Sequence, residues 1–587
     1  MLHGSSIPKS YITLERLLQI SSFVAGVFFL VFSLQTEAQS KPVLEQMTVE
    51  QKVGQLMIWT FAGTSFTPQI EEMIGKYHVG ALIAFSRNIK SQSQIARFNL
   101  DAQAFAKRKL KAPLFLMIDQ EGGTVTRVKV STPLPSALAL GRMHNAQFAE
   151  DYAKTKAELL AAIGFNVNLS PVMDISNPSS NSFMSNRVFG DKPDEVTELS
   201  MAYARGISAA GLIPTAKHFP GHGGMVDDSH IRQAKKIATL EELEQKDLVP
   251  FIEFVEAKFP KAVMMAHLAL PNIDPSGVPA TYSSMIIEDL LREKYGFKGL
   301  VITDDLEMGG ASVAQDLGER AVRAFLAGND MLMLAGHPRN QRKAFESMVK
   351  AVKSGRVSLE RLDESVTRIL ETKAQIKRPS IKFEEKKSHD IKIKLEALSR
   401  EIMRKNFKDA LGSKTSQWPV IKKNTRVVVL SSDGRFFTSF NKEFVGRSYF
   451  KRLTPETLGE GLSEIAAEKN AIAIYYASGS KTAKWLAQLP SDLRAKVIVI
   501  NCNNPGKMED QNHFMAVLNI NSHSPESGAW LAQALNTPPE IRTPATADGE
   551  FEAPLPSEES AEDKEKTDEQ SMAMPKRRSQ PKPPRSS

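Results

Sequence analysis

Short apolar runs alternate with segments of helical period through residues 41–375. The runs are 54–61 (GQLMIWTF), 80–85 (GALIAF), 113–119 (PLFLMID) and 165–175 (FNVNLSPVMDI). They continue with 212–219 (LIPTAKHF), 262–267 (AVMMAH), 300–305 (LVITDD) and 330–335 (DMLMLA). Between them lie amphipathic stretches such as TPQIEEMIGKYH and AVRAFLAG, whose apolar residues recur at helical spacing. Continuous apolar runs separated by helices are the mark of βα units on a parallel sheet buried on both faces. Eight such units predict an α/β fold, a TIM-type (β/α)8 barrel.

Where the runs end, the chain becomes chemically capable. Asp119, Asp174, Lys217 with His218, His267, and Asp304 with Asp305 each close an apolar run. A barrel builds its active site at the carboxyl ends of its strands. Loops after strands are polar in general, but that explains one or two such endings better than it explains this many.

Beyond the barrel, residues 376–412 read as a charged linker and a helix. Residues 413–537 carry four further apolar runs, 425–432 (TRVVVLSS), 471–478 (AIAIYYAS), 496–502 (KVIVINC) and 514–520 (FMAVLNI). These predict a smaller α/β domain. Residues 538–587 are rich in Pro, Ser and Glu and end in PKRRSQPKPPRSS, the composition of a disordered C-terminal tail. Residues 1–39 contain an apolar run (ISSFVAGVFFLVFSL) preceded by Lys9 and Arg16 and followed by polar QTEAQS with Ala38. That is the layout of a signal peptide, with an uncleaved membrane anchor as the alternative, since a spanning helix needs about 20 apolar residues. Either way an exported protein, periplasmic or secreted, is expected.

Composition changes this picture little. The chain has 42% hydrophobic and 24% charged residues, an ordinary globular balance. Its net charge of +8 is scattered, without a basic stripe interleaved with aromatics, so no nucleic acid is expected as a partner. Cys502 is the only cysteine, which excludes an intramolecular disulfide and a cysteine metal cluster.

The densest chemistry lies in KHFPGHGGMVDDSH, residues 217–230. A phosphate cradle is excluded by the absence of a P-loop's Lys-Ser/Thr ending. His218, His222, Asp228 and His230 are candidate zinc ligands, yet they lack the spacing of H-E-x-x-H or of a strand-end His-x-His. Hydrogen-bonding roles are favoured over a metal. The third reading is an Asp-x-His dyad. The Asp228 carboxylate beside the His230 imidazole would fix its tautomer and favour its protonated form, tuning it for proton transfer. The partner would be a strand-end carboxylate, Asp304 or Asp305. Neighbours in a strand face opposite ways, so one of the pair is expected in the site and the other as a helix cap.

These residues together resemble glycoside hydrolase family 3, in particular its bacterial exo-β-N-acetylglucosaminidases. The resemblance rests on KHFPGHG followed by DSH, on DQEGG (119–123), LSPVMDI, SNRVFG (185–190), MMAHLALP with PATYSS, TDDLEM and AGNDMLML (327–334). It implies a retaining double displacement with Asp304 as nucleophile and His230, oriented by Asp228, as acid/base. It also implies that Asp119, Arg127, Arg187, Lys217 and His218 grip the sugar, though Arg187 has the alternative role of bracing its loop. No cofactor and no metal are implied. The partner is a carbohydrate, N-acetylglucosamine-containing muropeptides or chitooligosaccharides. Because a histidine replaces the second carboxylate, an anionic acceptor can approach, and a phosphorolytic outcome stays open. A β-glucosidase, a saccharide-binding protein with a decayed site and a metal hydrolase are the remaining alternatives. Departures from the family pattern are Gly223-Gly224-Met225 after PGH, where the family usually reads Gly-Asp-Thr or Gly-Asn-Ser, Thr124 for an arginine, and IRQAK in place of Leu-x-Leu-Pro after DSH. His222 has no assigned role.

Overall fold

The structure is a computed structural model of the whole chain. It describes residues 43–110, 112–178, 184, 186–225, 233–376, 383–412, 425–431, 433–452, 465, 467, 471–477, 489, 491–502, 514–521 and 523–536. The expected export segment, the tail, and the Asp228–His230 dyad lie outside the described residues. Among the described residues, no helix is long and apolar enough to cross a membrane.

The first unit is a barrel. Its strands are β1 (Met57–Thr60), β2 (Ala81–Ala84), β3 (Phe115–Ile118), β4 (Val167–Asn168) and β5 (Ile213–Phe219). After a short β6 (Ala234–Lys235) come β7 (Ala262–Met265), a short β8 (Leu268–Ala269), β9 (Leu300–Thr303) and β10 (Leu332–Leu334). Eight of them form one parallel sheet in the order β10-β1-β2-β3-β4-β5-β7-β9. The ends meet where Ile302 bridges Met331, with Thr303 N donating to Met331 O at 3.1 Å and Met333 N to Thr303 Oγ1 at 2.9 Å. The barrel strands are buried along their whole length, which is why each reads as an unbroken apolar run. The expected TIM-type barrel is therefore present.

Two strands depart from simple alternation, both at the site end. β4 stops at Asn168 although the apolar run continues to Ile175. Pro171 offers no N–H to a ladder, and beyond it the chain meets β5 through the Val172–Lys217 bridge and the Asp174 carboxylate on His218. In β5 the register with β7 slips: Lys217 pairs with Met264 and Phe219 with Met265, leaving His218 as an extra residue. Such a bulge re-aims side chains, and here consecutive Lys217 and His218 both line one cavity.

The second sheet is also parallel. It comprises β11 (Arg426–Ser431), β12 (Arg447–Arg452), β13 (Ala471–Ala477), β14 (Val497–Asn501) and β15 (Ala516–Asn519), ordered β12-β11-β13-β14-β15. β12 is a strand beyond the four that were expected. Its sequence, RSYFKR, is charged and largely exposed because it is an edge, where lysines and arginines discourage further pairing.

The helix Glu385–Gly412 runs between the two units. It buries Leu395 and Ile402 in the barrel's own apolar cluster. Glu396 accepts from Ser131 N at 2.7 Å, Arg400 donates to Thr132 Oγ1 at 2.9 Å, and Asn406 Nδ2 donates to Ala139 O at 2.8 Å. It thus grips the outer end of the segment that carries DQEGG.

Candidate active site

A cavity of about 220 Å³ opens at the carboxyl ends of the barrel strands, and Asp119, Arg127, Arg187, Lys217, His218 and Asp304 all line it. Six of the eight expected site residues therefore meet there. The other two, Asp228 and His230, fall among residues 226–232, outside the described residues.

The cavity's cationic wall is fixed by carboxylates. Lys217 Nζ reaches Asp119 Oδ1 and Glu121 Oε1, both at 2.8 Å. Burial disfavours the ammonium, but the two carboxylates outweigh it and raise its pKa. Arg187 holds Glu121 in a two-point contact, Nε to Oε2 at 2.9 Å and Nη2 to Oε1 at 2.8 Å. Burial alone would push Glu121 up, yet Arg187 and Lys217 hold it far below the usual carboxylate range. Arg187 lines the cavity while braced by Glu121. Glu121 itself was missed from sequence, although it stands two residues from Asp119 in the same motif.

The DQEGG segment is folded by its own side chains. Gln120 Oε1 accepts from Arg127 N at 2.8 Å and Val128 N at 3.0 Å, while its Nε2 donates to Val128 O at 2.8 Å. This staple presents Arg127 to the cavity, 3.8 Å from Asp119. Arg127 Nε is buried and has no acceptor among the described residues. Gly122 lies at φ +114°, and a Cβ there would sit 2.2 Å from Pro135 O. Beneath the segment, buried Lys156 donates to Gln120 O at 2.6 Å and Glu121 O at 2.8 Å, and also contacts the Tyr203 hydroxyl. Burial brings its pKa down to about 7. Nothing in its helical, mixed-polarity sequence context marked Lys156 as a support for the site.

Asp174 organises the histidines. Its Oδ2 meets His218 Nδ1 at 2.7 Å, and its Oδ1 accepts from His222 N at 2.6 Å. Burial opposes its charge, but His218 and His222 hold its pKa below the ordinary value. His222, which had no assigned role, lines the cavity, and its pKa is lowered by burial to about 4, so it is neutral near pH 7. The chain leaving this turn is tied by Lys236, which pairs with Asp247 at 2.6 Å and reaches the carbonyls of Gly221 and Gly223. A Cβ on Gly223 would lie 1.8 Å from Ile175 O, so the close approach of the two backbones requires glycine there. Among the described residues, no group of three or more His, Cys, Asp or Glu is arranged to hold a metal.

The carboxylate pair follows β9. Because the strand ends at Thr303, strand alternation no longer applies, and Asp304 and Asp305 both line the cavity. Burial opposes ionisation of Asp304, but His267, His218, the Asp305 N–H and Lys217 together hold its pKa low. His267 sets part of that field. Its Nε2 meets Asp305 O at 3.0 Å and its Nδ1 meets Thr281 Oγ1 at 2.8 Å, while the Thr281 hydroxyl donates to Ala266 O. Nε2 faces a carbonyl and so carries a proton, while Nδ1 shares its bond with a hydroxyl. Asp305 behaves oppositely: burial raises its pKa to about 6. It does not cap the following α-helix, Leu317–Leu326, whose cap is Asp316. Instead Asp305 Oδ1 accepts from Glu307 N and Ala335 N, both at 3.1 Å, tying β9 to the loop after β10. Two adjacent aspartates thus have divergent environments, one kept ionised and one pushed toward its acid form.

Comparison with known proteins agrees with this geometry. Residues 48–372 match the glycosyl hydrolase family 3 N-terminal domain. The chain is 30% identical over 386 residues to β-hexosaminidase A of Pseudoalteromonas piscicida, covering 59% of this chain and 64% of that protein. It is 34% identical over 287 residues to a β-hexosaminidase of Idiomarina loihiensis, covering 48% of this chain and 84% of the relative. A family 3 β-N-acetylglucosaminidase from Paenibacillus sp. superposes with a TM-score of 0.72 at 28% identity, covering 83% of this chain and 96% of that one. The chain belongs to glycosyl hydrolase family 3 and is a hydrolase of the β-hexosaminidase type.

Proposed function

We propose that the protein removes terminal, non-reducing β-linked N-acetylglucosamine from peptidoglycan fragments with retention of configuration. The observation that carries this reading is Asp304, an ionised carboxylate in the strand-end cavity facing Lys217, His218 and Arg127. Support for the sugar comes from the name of the Paenibacillus relative. The peptidoglycan source rests on the sequence resemblance alone.

In this mechanism Asp304 attacks the anomeric carbon and forms a glycosyl-enzyme, while His230, oriented by Asp228, protonates the departing oxygen. The same histidine then deprotonates water, which attacks the glycosyl-enzyme, releases the sugar and frees Asp304. Two inversions give net retention. Asp119, Arg127, Arg187, Lys217 and His218 bind the sugar's hydroxyl and carboxamide oxygens. We also propose export, on the character of residues 1–39.

The test is release of p-nitrophenol from the N-acetyl-β-glucosaminide. Asp304→Ala and His230→Ala are each expected to lose on the order of 100-fold or more in kcat, and full activity in either variant sinks the assignment. Proton NMR of the first-formed anomer checks retention. Product analysis on muropeptides with and without phosphate checks the substrate and the acceptor: free N-acetylglucosamine is expected in both, and a 1-phosphate product would favour the phosphorolytic reading.

A further inference from the structure

In the second sheet, strand order reverses at β11: β12 lies to one side of it and β13, β14 and β15 to the other. Connections leaving β11 and β13 part in opposite directions there. Open parallel sheets bind ligands in the crevice outside the carboxyl ends at such a point. A cavity of about 280 Å³ lies at this end of the sheet. Arg435, which follows β11, Cys502, which follows β14, and Asn521 and His523, which follow β15, line it from one side. The opposite side is the barrel segment 123–136.

That segment is a shared partition. Glu121, Val125 and Arg127 line the catalytic cavity, whereas Thr124, Thr126 and Lys129 line the second one. The two spaces are therefore separate but back to back. Across the partition, Ser136 Oγ donates to Asn521 O at 2.6 Å, locking the sheet's end to the barrel.

The second cavity has a built polar lining. Asp433 is bound by Arg435 through Nε at 3.1 Å and Nη2 at 2.8 Å, and by His523 at 3.2 Å. Its charge is answered, and Arg435 Nη1 remains unused by any described residue. Exposed Lys129 faces the same space and forms no ion pair among the described residues. Asn521 is only 6% exposed, and its Oδ1 accepts no hydrogen bond from any described residue. A buried acceptor without a donor is costly, so its presence in a cavity wall points to a ligand that donates. Val130, Pro133 and Leu134 add an apolar wall. Unpaired Lys129, the free Nη1 edge of the Asp433-paired Arg435, one acceptor and an apolar wall together suit an organic acid with a hydroxyl or N–H better than a bare inorganic ion.

We propose that this cavity is a second, non-catalytic site for a sugar carboxylic acid, its carboxylate between Lys129 and Arg435 and one of its N–H or O–H groups on Asn521. The choice of sugar acid rests on the peptidoglycan reading above; the site itself does not. The experiment is calorimetric titration of the full chain with N-acetylmuramic acid, with N-acetylglucosamine, which lacks the lactyl carboxylate, and with inorganic phosphate. N-acetylmuramic acid is expected to bind even with saturating N-acetylglucosamine present. Arg435→Gln and Lys129→Gln are each expected to weaken it about tenfold, and Arg435→Lys to recover part of the loss. In all three variants, N-acetylglucosamine binding and p-nitrophenyl glycoside turnover should be unchanged. Absent binding, simple competition with N-acetylglucosamine, equal binding of phosphate, or an affinity unmoved in both glutamine variants overturns the proposal. Retained N-acetylmuramic acid binding in a protein without turnover would sink the catalytic reading and leave this site standing.

Discussion

Lys217 and Lys373 are both almost fully buried in the same barrel, at opposite ends. At the carboxyl end, Lys217 sits between Asp119 and Glu121, which raise its pKa despite burial. At the amino end, Lys373 donates to Gln55 Oε1 at 2.7 Å and Gly80 O at 2.9 Å and lies over the Phe115 ring. Burial alone governs it and brings its pKa down to about 7. Like residues at like depth thus carry opposite electrostatics. One end assembles countercharges that keep a buried ammonium charged at the cavity; the other uses a lysine to satisfy neutral acceptors that close the barrel floor. This is the division of labour expected between the two faces of a barrel.

Replacing each lysine should expose the difference. Lys217→Met is expected to have the largest effect, a loss of about 3–5 kcal/mol in denaturant unfolding because Asp119 and Glu121 lose a buried partner. Its kcat/KM should also fall about 100-fold or more, read with the p-nitrophenyl glycoside. Gly122→Ala should follow, at about 2 kcal/mol or more, because the added Cβ meets Pro135 O in a backbone conformation that suits glycine. Lys373→Met should cost about 1–3 kcal/mol by leaving two acceptors unmet, with turnover little changed.

The Lys373 effect also has a pH signature. A lysine whose folded pKa is lowered binds fewer protons than the unfolded chain between about pH 7 and its ordinary value of 10.5, so the wild type gains stability as pH rises through that window. The deficit of Lys373→Met should therefore grow from pH 7 to pH 9. Asp305→Asn is the smallest and has the opposite sign. The folded pKa of about 6 means that ionising Asp305 costs stability as pH rises from near 4 to above 6. The amide keeps an acceptor for the Glu307 and Ala335 N–H groups, so its melting temperature should exceed that of wild type at pH 7.5, with the gain fading near pH 4. A gain that does not vary with pH would remove burial as the cause.

Much of this was legible in the chain because the barrel strands are buried on both faces and each ends in its chemistry. The carboxyl-end residues Asp119, Lys217, His218 and Asp304 could be placed in one site by fold rules alone. What escaped were partners that only folding supplies. Lys156 comes from a helix to hold the DQEGG carbonyls, and Glu121 turns in to pair with Lys217 and Arg187; His267 was legible as a strand end, but its effect on Asp304 was not. β12 escaped for a different reason: an edge strand gains from charges, so it lacks the apolar run that marks a buried one. The joint role of Asp304 and Asp305 was obscured by extending strand alternation past the true end of β9.

The helix Glu385–Gly412 bears on how this enzyme can be taken apart. By homology the catalytic unit ends near residue 372, which invites division there. Yet Leu395 and Ile402 belong to the barrel's apolar cluster, and Glu396 and Arg400 hold Ser131 and Thr132, at the outer end of the segment that carries DQEGG. A chain ended at residue 375 would leave an uncovered apolar stripe on the barrel and free Ser131 and Thr132 of their partners, so a unit transplanted from this protein is expected to hold its fold better when it extends through residue 412.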